Sequence, residues 1–220
     1  MKLVLASGSQ RRRELLTMCG YDYEIIVSNA DETIDENDPE SFVRALSLRK
    51  AKEVFDRLFA AGRRNFAVIG SDTVVAFQKE GETKPVIIGK PKDAEDAVRI
   101  LSMLSGKTHR VFTGVSVIAD IPDENAAAQC SIREKAEIQT ECSITEVTFE
   151  TLSPDEITDY VNSGDPLDKA GSYGIQGPFG MFVREIRGNY FTVIGMPIPV
   201  LYKMLKKIGI LPHGFYERIE

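Results

Sequence analysis

Little in this chain suits metal–thiolate or histidine chemistry. The three cysteines, Cys19, Cys130 and Cys142, are odd in number and match neither a zinc knuckle nor a CxxC redox pair, so reduced thiols are expected. The two histidines, His109 and His213, lie too far apart to form a catalytic or metal pair by spacing. Positive charge is also in short supply. With 27 Lys and Arg against 33 Asp and Glu, the net charge of -6 excludes a nucleic-acid binder that works through a broadly basic surface. No basic stretch interleaved with aromatics offers a stacking platform either. Any phosphate site must therefore be local. No apolar run reaches the ~20 residues of a membrane span. The first apolar run gives way to Ser7-Gly8-Ser9-Gln10 too soon for a secretory signal core. A cytoplasmic protein without membrane association is expected.

What remains is an ordinary globular composition, 43% hydrophobic over 220 residues, enough to bury a core in one domain spanning 1–220 without repeats or linkers. Leu3 to Ala6 reads as a strand, and Arg11 to Cys19 as a helix closed by Gly20. Tyr23 to Val27 suggests a second strand, followed by an acidic loop over 29–37. Asp38 and Pro39 start a helix that runs to about Phe59. Ala67 to Ile69 reads as a buried strand ending in a Gly70-Ser71-Asp72-Thr73 loop, with Val74 to Phe77 and Val86 to Ile88 as a hairpin across Gly81. Asp93 caps a helix to Leu104. Val111 to Ala119 and Cys142 to Glu150 are strands, and 120–129, with Pro122 and three alanines, is expected to be a mobile loop. Ser153 and Glu156 form a capping box for a helix over 155–162. Phe182 to Ile186 and Tyr190 to Ile194 read as two strands about a Gly188-Asn189 turn, and Pro199 to Lys207 as the last helix. The pattern predicts an α/β, or α+β, sheet protein.

Three segments concentrate polar chemistry. In Ser7-Gly8-Ser9-Gln10-Arg11-Arg12-Arg13, small residues let backbone amides approach an anion at a helix N-terminus. The same stretch could equally be a basic first turn solvated by water. The Walker spacing GxxxxGK[ST] is absent. Asp72, beyond a buried strand, can hold a divalent cation or accept a proton, or simply cap a turn. Lys50, Lys90 and the acidic pair Asp31-Glu32 are open to the same two readings, site or solvated surface. Within Asp165 to Gly177, rich in glycine, Gln176 offers a donor and an acceptor suited to a nucleobase edge, or else a solvated turn.

Taken together and in this order, the segments resemble the Maf family of nucleoside triphosphate pyrophosphatases. The matching stretches are LASGSQRRRELL at 5–16, RKAK around Lys50, IGSDTVV at 69–75, GKPKDAEDA at 89–97, LSGKTHRVFTGVSV at 104–117 and DPLDKAGSYGIQG at 165–177. Gln10 stands where the family usually has proline, and the region from Asp120 to Thr140 is expanded. The resemblance implies an elongated mixed central sheet flanked by helices, with a cleft between two lobes, similar to inosine triphosphate pyrophosphatases, and in many members a homodimer. It implies Asp72 as the catalytic carboxylate, with Asp72 and Glu32 holding Mg²⁺ or Mn²⁺. Ser7, Arg11, Arg12, Lys50 and Lys90 would meet the phosphates. Arg11, Thr73 and Gln176 fall where the substrate branches differ. That Arg, Thr, Gln set looks like the dTTP/UTP branch, whereas the 7-methyl-GTP branch typically carries Trp, Gln and Glu. The implied reaction is attack of water at the α-phosphorus of a nucleoside triphosphate, modified pyrimidine nucleotides included, releasing pyrophosphate. The alternative is a nucleotide-binding regulator of cell division without turnover.

Overall fold

The computed structural model describes residues 1–79, 81–121 and 136–213. The expected loop at 120–129 falls outside these residues beyond Ile121, as does Cys130. A seven-stranded mixed sheet runs in the order β2 (Glu24–Ile25), β1 (Lys2–Leu5), β3 (Phe66–Phe77), β5 (Thr108–Asp120), β6 (Ala136–Phe149), β7 (Val183–Arg187), with β4 (Val86–Ile88) also on β3. β1 is parallel to β2 and β3, and the remaining pairings are antiparallel. The mixed sheet with flanking helices agrees with the sequence reading.

Two departures from that reading matter. Gly70-Ser71-Asp72-Thr73 is no loop: it is the middle of the 12-residue strand β3, paired with β5 from Ala67↔Ala119 to Ala76↔Arg110. The glycine there serves a close approach rather than a turn. A Cβ on Gly70 would sit 2.2 Å from the Ser47 carbonyl oxygen, and one on Gly114 of the neighbouring strand β5 would sit 2.2 Å from that of Val43. Both oxygens belong to helix α2 (Pro39–Ala60), whose backbone thus lies directly on the sheet. The other departure is Tyr190–Ile194, a short helix, α5, rather than a strand. Its aromatic and β-branched composition favours a strand, but its ends decide otherwise. Asn189 accepts a hydrogen bond from the Phe191 amide at the start, and left-handed Gly195 closes the end.

Helix α2 starts as expected, with Asp38 accepting from the Ser41 amide at 2.9 Å and Pro39 in the first turn. It covers one face of the sheet, where Val43, Val54 and Phe55 pack on Val68, Val74, Ala76, Phe112 and Ile118. The opposite face is covered in two parts. At one end α1 (Gln10–Met18) and α6 (Ile198–Lys207) bury Leu15, Leu16, Leu201 and Leu205 on Ile69 and Val115. At the other end α3 (Ala94–Leu104) and α4 (Pro154–Asn162) bury Ile100, Leu104 and Tyr160 with Val75, Phe77, Val111 and Phe149. Along β3 this face therefore runs from Ile69 through Ser71 and Thr73 to Val75. Hydroxyls mark the seam between the two apolar clusters. At the same level, β1 ends its pairing at Ile69 and β4 begins at Val75, so among the described residues the edge of β3 between them carries no strand.

Candidate active site

Asp72 projects from β3 towards α2, the face it shares with Gly70 by the two-residue alternation of a strand. Lys50, three turns into α2, meets it: Nζ donates to Asp72 Oδ1 at 2.7 Å and lies 3.0 Å from Glu32 Oε1. The side chains of Lys50 and Asp72 are each only 11% exposed, while that of Glu32 is 66% exposed. A buried ammonium without partners is costly, and this one is matched by two carboxylates from different parts of the chain. The close backbone contact at Gly70 and Gly114 sets the depth at which Lys50 arrives. Lys50, ambiguous as a lone lysine in the sequence, is thus a buried member of a charged cluster.

Arg12 occupies the other side of the same strand. Its Nε donates to the Gly195 carbonyl at 2.8 Å, and its terminal nitrogens donate to Ser7 Oγ at 3.1 Å and Thr73 Oγ1 at 3.3 Å. All three acceptors are neutral. Burial is the largest influence on this guanidinium and pulls its pKa below the ordinary value, with the Asp72 carboxylate acting in the opposite sense. Arginine nonetheless stays charged in proteins. Arg12 is therefore a fixed positive charge that no direct ion pair among the described residues neutralises. Thr73 is also bonded to Thr113 at 3.0 Å across the strands. Adjacent in sequence, Asp72 and Thr73 serve opposite faces of the sheet, which a loop reading of GSDT does not anticipate.

Arg11 turns away from Arg12 and pairs with Asp168 Oδ2 at 3.2 Å. Partial burial opposes ionisation of Asp168, but bonds from Lys169 and Arg11 outweigh it and hold the carboxyl below its ordinary range. Lys169 knots the segment together: Nζ donates to the Asp165 carbonyl at 2.5 Å, to Asp165 Oδ1 at 2.9 Å and to Asp168 Oδ1 at 2.7 Å. Tyr160 then donates to Asp165 Oδ2 at 2.5 Å and accepts from the Gly174 amide at 3.0 Å. Arg11 and the glycine-rich segment are thereby linked. Gly171 donates to the Gly89 carbonyl, which ties in the GKPK loop. Lys90 and Gln176 themselves are exposed and sit in neither charged cluster. Asp168, Lys169, Ser71 and Gly195 were missed as individual residues in the sequence. Only the first two had a signal there, an acid and a lysine side by side in DPLDKAGSYGIQG.

Among the described residues no three His, Cys, Asp or Glu side chains gather into a metal site. Asp72 and Glu32 nevertheless present oxygens within about 6 Å of one another, both held to one cation, the Lys50 ammonium. Mg²⁺ is commonly held by one or two carboxylates with substrate phosphates completing its shell. The donor set fits such an ion. His109 is a different matter: buried between Phe149 and Tyr173, and bonded to the Tyr173 hydroxyl at 3.0 Å, it is pushed down to about 3 by burial. It stays neutral and structural. His213 pairs with Asp22 at 2.8 Å beside a cavity of about 520 Å³ that shares no lining residue with these clusters.

A mixed-sheet α/β protein with charged groups gathered at a gap in the sheet is the class these features define. Comparison supplies the family: residues 2–208 match the model described as Maf-like protein, and the chain belongs to that family. It is 40% identical over 217 residues to a dTTP/UTP pyrophosphatase of Agathobacter rectalis, covering 95% of this chain and 98% of the relative. It is 42% identical over 210 residues to a protein of the same name from Bacillus thuringiensis subsp. konkukian, covering 95% and 96% respectively. A solved structure of the Staphylococcus aureus Ham1 protein aligns with a TM-score of 0.48 at 17% identity, over 94% of this chain and 99% of that one.

Proposed function

We propose that this chain hydrolyses nucleoside triphosphates, dTTP and UTP foremost and modified pyrimidine nucleotides with them, to the monophosphate and pyrophosphate. The observation that carries the reading is the buried Lys50–Asp72 pair, reached by Glu32 and set beside an uncompensated Arg12. A polyphosphate binds next to carboxylates only where cations intervene, and this arrangement supplies both signs. The names of the relatives point the same way.

In this reading Asp72 and Glu32 would hold a Mg²⁺ or Mn²⁺ ion, which would supply Lewis-acid polarisation of the phosphate oxygens. Arg12, fixed by Ser7 and Thr73, takes a phosphate, and Lys50 exchanges its carboxylates for phosphate oxygens. Arg11 and Lys90 add positive charge from the rim. Asp72 orients or deprotonates the attacking water. Gln176 and Arg11 meet the pyrimidine edge: uracil and thymine show an N3–H between two carbonyls, which an amide and a guanidinium can complement.

The test is Asp72→Asn with product analysis. Turnover should fall by roughly 10²-fold or more, since an isosteric amide keeps the packing but neither deprotonates water nor holds a cation well. Wild-type enzyme should release pyrophosphate in one step, in a divalent-ion-dependent manner. Orthophosphate with a nucleoside diphosphate would make it a γ-phosphatase instead, and nucleotide binding without turnover would leave the regulator reading. A homodimer, implied by the family resemblance, is checked by light scattering. Among the described residues no helix is long and apolar enough to cross a membrane.

A further inference from the structure

The acceptor of Arg12 Nε is a backbone carbonyl near the far end of the chain, and several groups are spent on holding it still. The Gly195 carbonyl oxygen has two lone pairs, and two donors reach it: Arg12 Nε at 2.8 Å and Ser71 Oγ at 3.0 Å. Ser71 is fully buried on β3, one residue before Asp72, and its single hydroxyl proton is shared between the Gly195 carbonyl and the Gly114 carbonyl at 2.9 Å. The turn that carries Gly195 is pinned to the sheet as well. Thr113 donates to the Thr192 carbonyl at 2.7 Å, and the hydroxyls of Ser143 and Thr192 are bonded at 2.7 Å. The Gly195 amide closes α5 onto the carbonyls of Phe191 and Thr192.

Glycine is required here on two counts. Its φ of +112° belongs to the region that side chains resist. A Cβ would also stand 3.1 Å from Thr73 Oγ1 and 3.7 Å from Arg12 Nε and its NH2 nitrogen. The choice of a carbonyl over a carboxylate has a consequence. A carboxylate would orient Arg12 but cancel its charge and compete with an anion, whereas neutral oxygens orient it and leave the charge intact. Arginine has five N–H donors, and three are used, so one N–H on each terminal nitrogen has no acceptor among the described residues.

We infer that the Gly195 carbonyl, held by Ser71 and by α5, is the positioning element that aims Arg12 at phosphate. Ser71 and Gly195 are positioning residues, acting through Arg12. The inference rests on the reading above that Arg12 meets the phosphates.

The test is a double-mutant cycle read by binding of inorganic pyrophosphate, measured by calorimetry without turnover, alongside steady-state UTP hydrolysis. Ser71→Ala should weaken pyrophosphate binding and lower kcat/KM for UTP about 5- to 10-fold, the value of one hydrogen bond, in the wild-type background. In an Arg12→Ala background it should change neither, because the group it positions is gone. Ser71→Cys, which nearly keeps the volume but donates only weakly, takes its place, run the same way, if Ser71→Ala fails to fold. Equal losses in both backgrounds would mean that Ser71 supports the structure at large and would overturn the inference. So would a wild-type protein that binds no pyrophosphate. Pyrophosphate binding with the predicted non-additivity, but no triphosphate hydrolysis, would remove the proposed activity and leave the positioning role standing.

Discussion

Replacing Lys50 by methionine isolates the electrostatics of the candidate site. The substitution keeps much of the aliphatic stem that lies in α2 and removes the ammonium between Asp72 and Glu32. Glu32 is two-thirds exposed and regains water, so its share is small, about 0–1 kcal/mol. Asp72 is different, because its side chain is 11% exposed and its carboxylate loses the cation 2.7 Å away. Removing one partner of a buried pair costs roughly 3–5 kcal/mol. Arg12 still contributes a favourable field at Asp72, so we expect the lower end, about 3 kcal/mol. For a chain of this size about 1 kcal/mol shifts Tm by roughly 2–4 °C, which predicts a fall of roughly 6–12 °C. Thermal denaturation followed by circular dichroism reads this directly. Lys50→Met/Asp72→Asn should recover part of the loss, since a neutral amide is cheaper to bury than an unpaired carboxylate. Mg²⁺ without nucleotide should stabilise Lys50→Met more than the wild type, the ion replacing the missing ammonium. A single variant melting within about 2 °C of wild type, or a double variant whose losses simply add, would refute the account of the pair as mutually dependent.

Gly114→Ala, whose Cβ meets the Val43 carbonyl at 2.2 Å, should cost at least about 1–3 kcal/mol in urea titration and reduce activity by moving α2, whereas Gly89→Ala, with nothing within 4 Å, should not destabilise. His109, pushed down to about 3 in the fold, binds a proton near its ordinary value of 6.5 when unfolded. Its contribution to stability is therefore full above the unfolded value and is lost as pH falls from there through the folded one. His109→Gln should flatten that part of a stability–pH curve, and an unchanged slope would sink the assignment. Finally, UTP should be preferred to CTP by roughly tenfold or more, and Gln176→Glu should weaken UTP hydrolysis; equal kcat/KM for UTP and CTP would show the base-edge argument wrong.

Much of the architecture was legible because capping and periodicity agree with the final packing. Asp38-Pro39 and Ser153 with Glu156 start helices where the sequence says they should. The errors have a common origin in residues whose local preference is overridden at a distance. Gly70-Ser71 reads as a strand end, and only the approach of α2 explains a glycine in mid-strand. Tyr190 to Ile194 has strand composition, and the deciding information lay in its flanks, Asn189 and Gly195. At the candidate site, Ser7, Arg12, Lys50, Asp72, Thr73 and Glu32, scattered over four stretches of sequence, are joined by the fold. Lys90 and Gln176 are not drawn into that cluster. Ser71 and Gly195 carried no sequence signal at all, because a hydroxyl and a carbonyl acquire their meaning only from the guanidinium they face.

The bare-backbone contact between α2 and the sheet has one more implication. Most helix–sheet separations are negotiated by side chains, so a change of core volume propagates into the spacing of whatever the two elements carry. Here the Val43 and Ser47 carbonyls rest against Gly114 and Gly70 with no side chain between them. The Lys50–Asp72 separation is gauged by main chain, and so is insulated from drift elsewhere in the core. Substitutions at Val54, Phe55 or Ile118 can erode stability while leaving the charged pair in register. The two glycines have no such latitude.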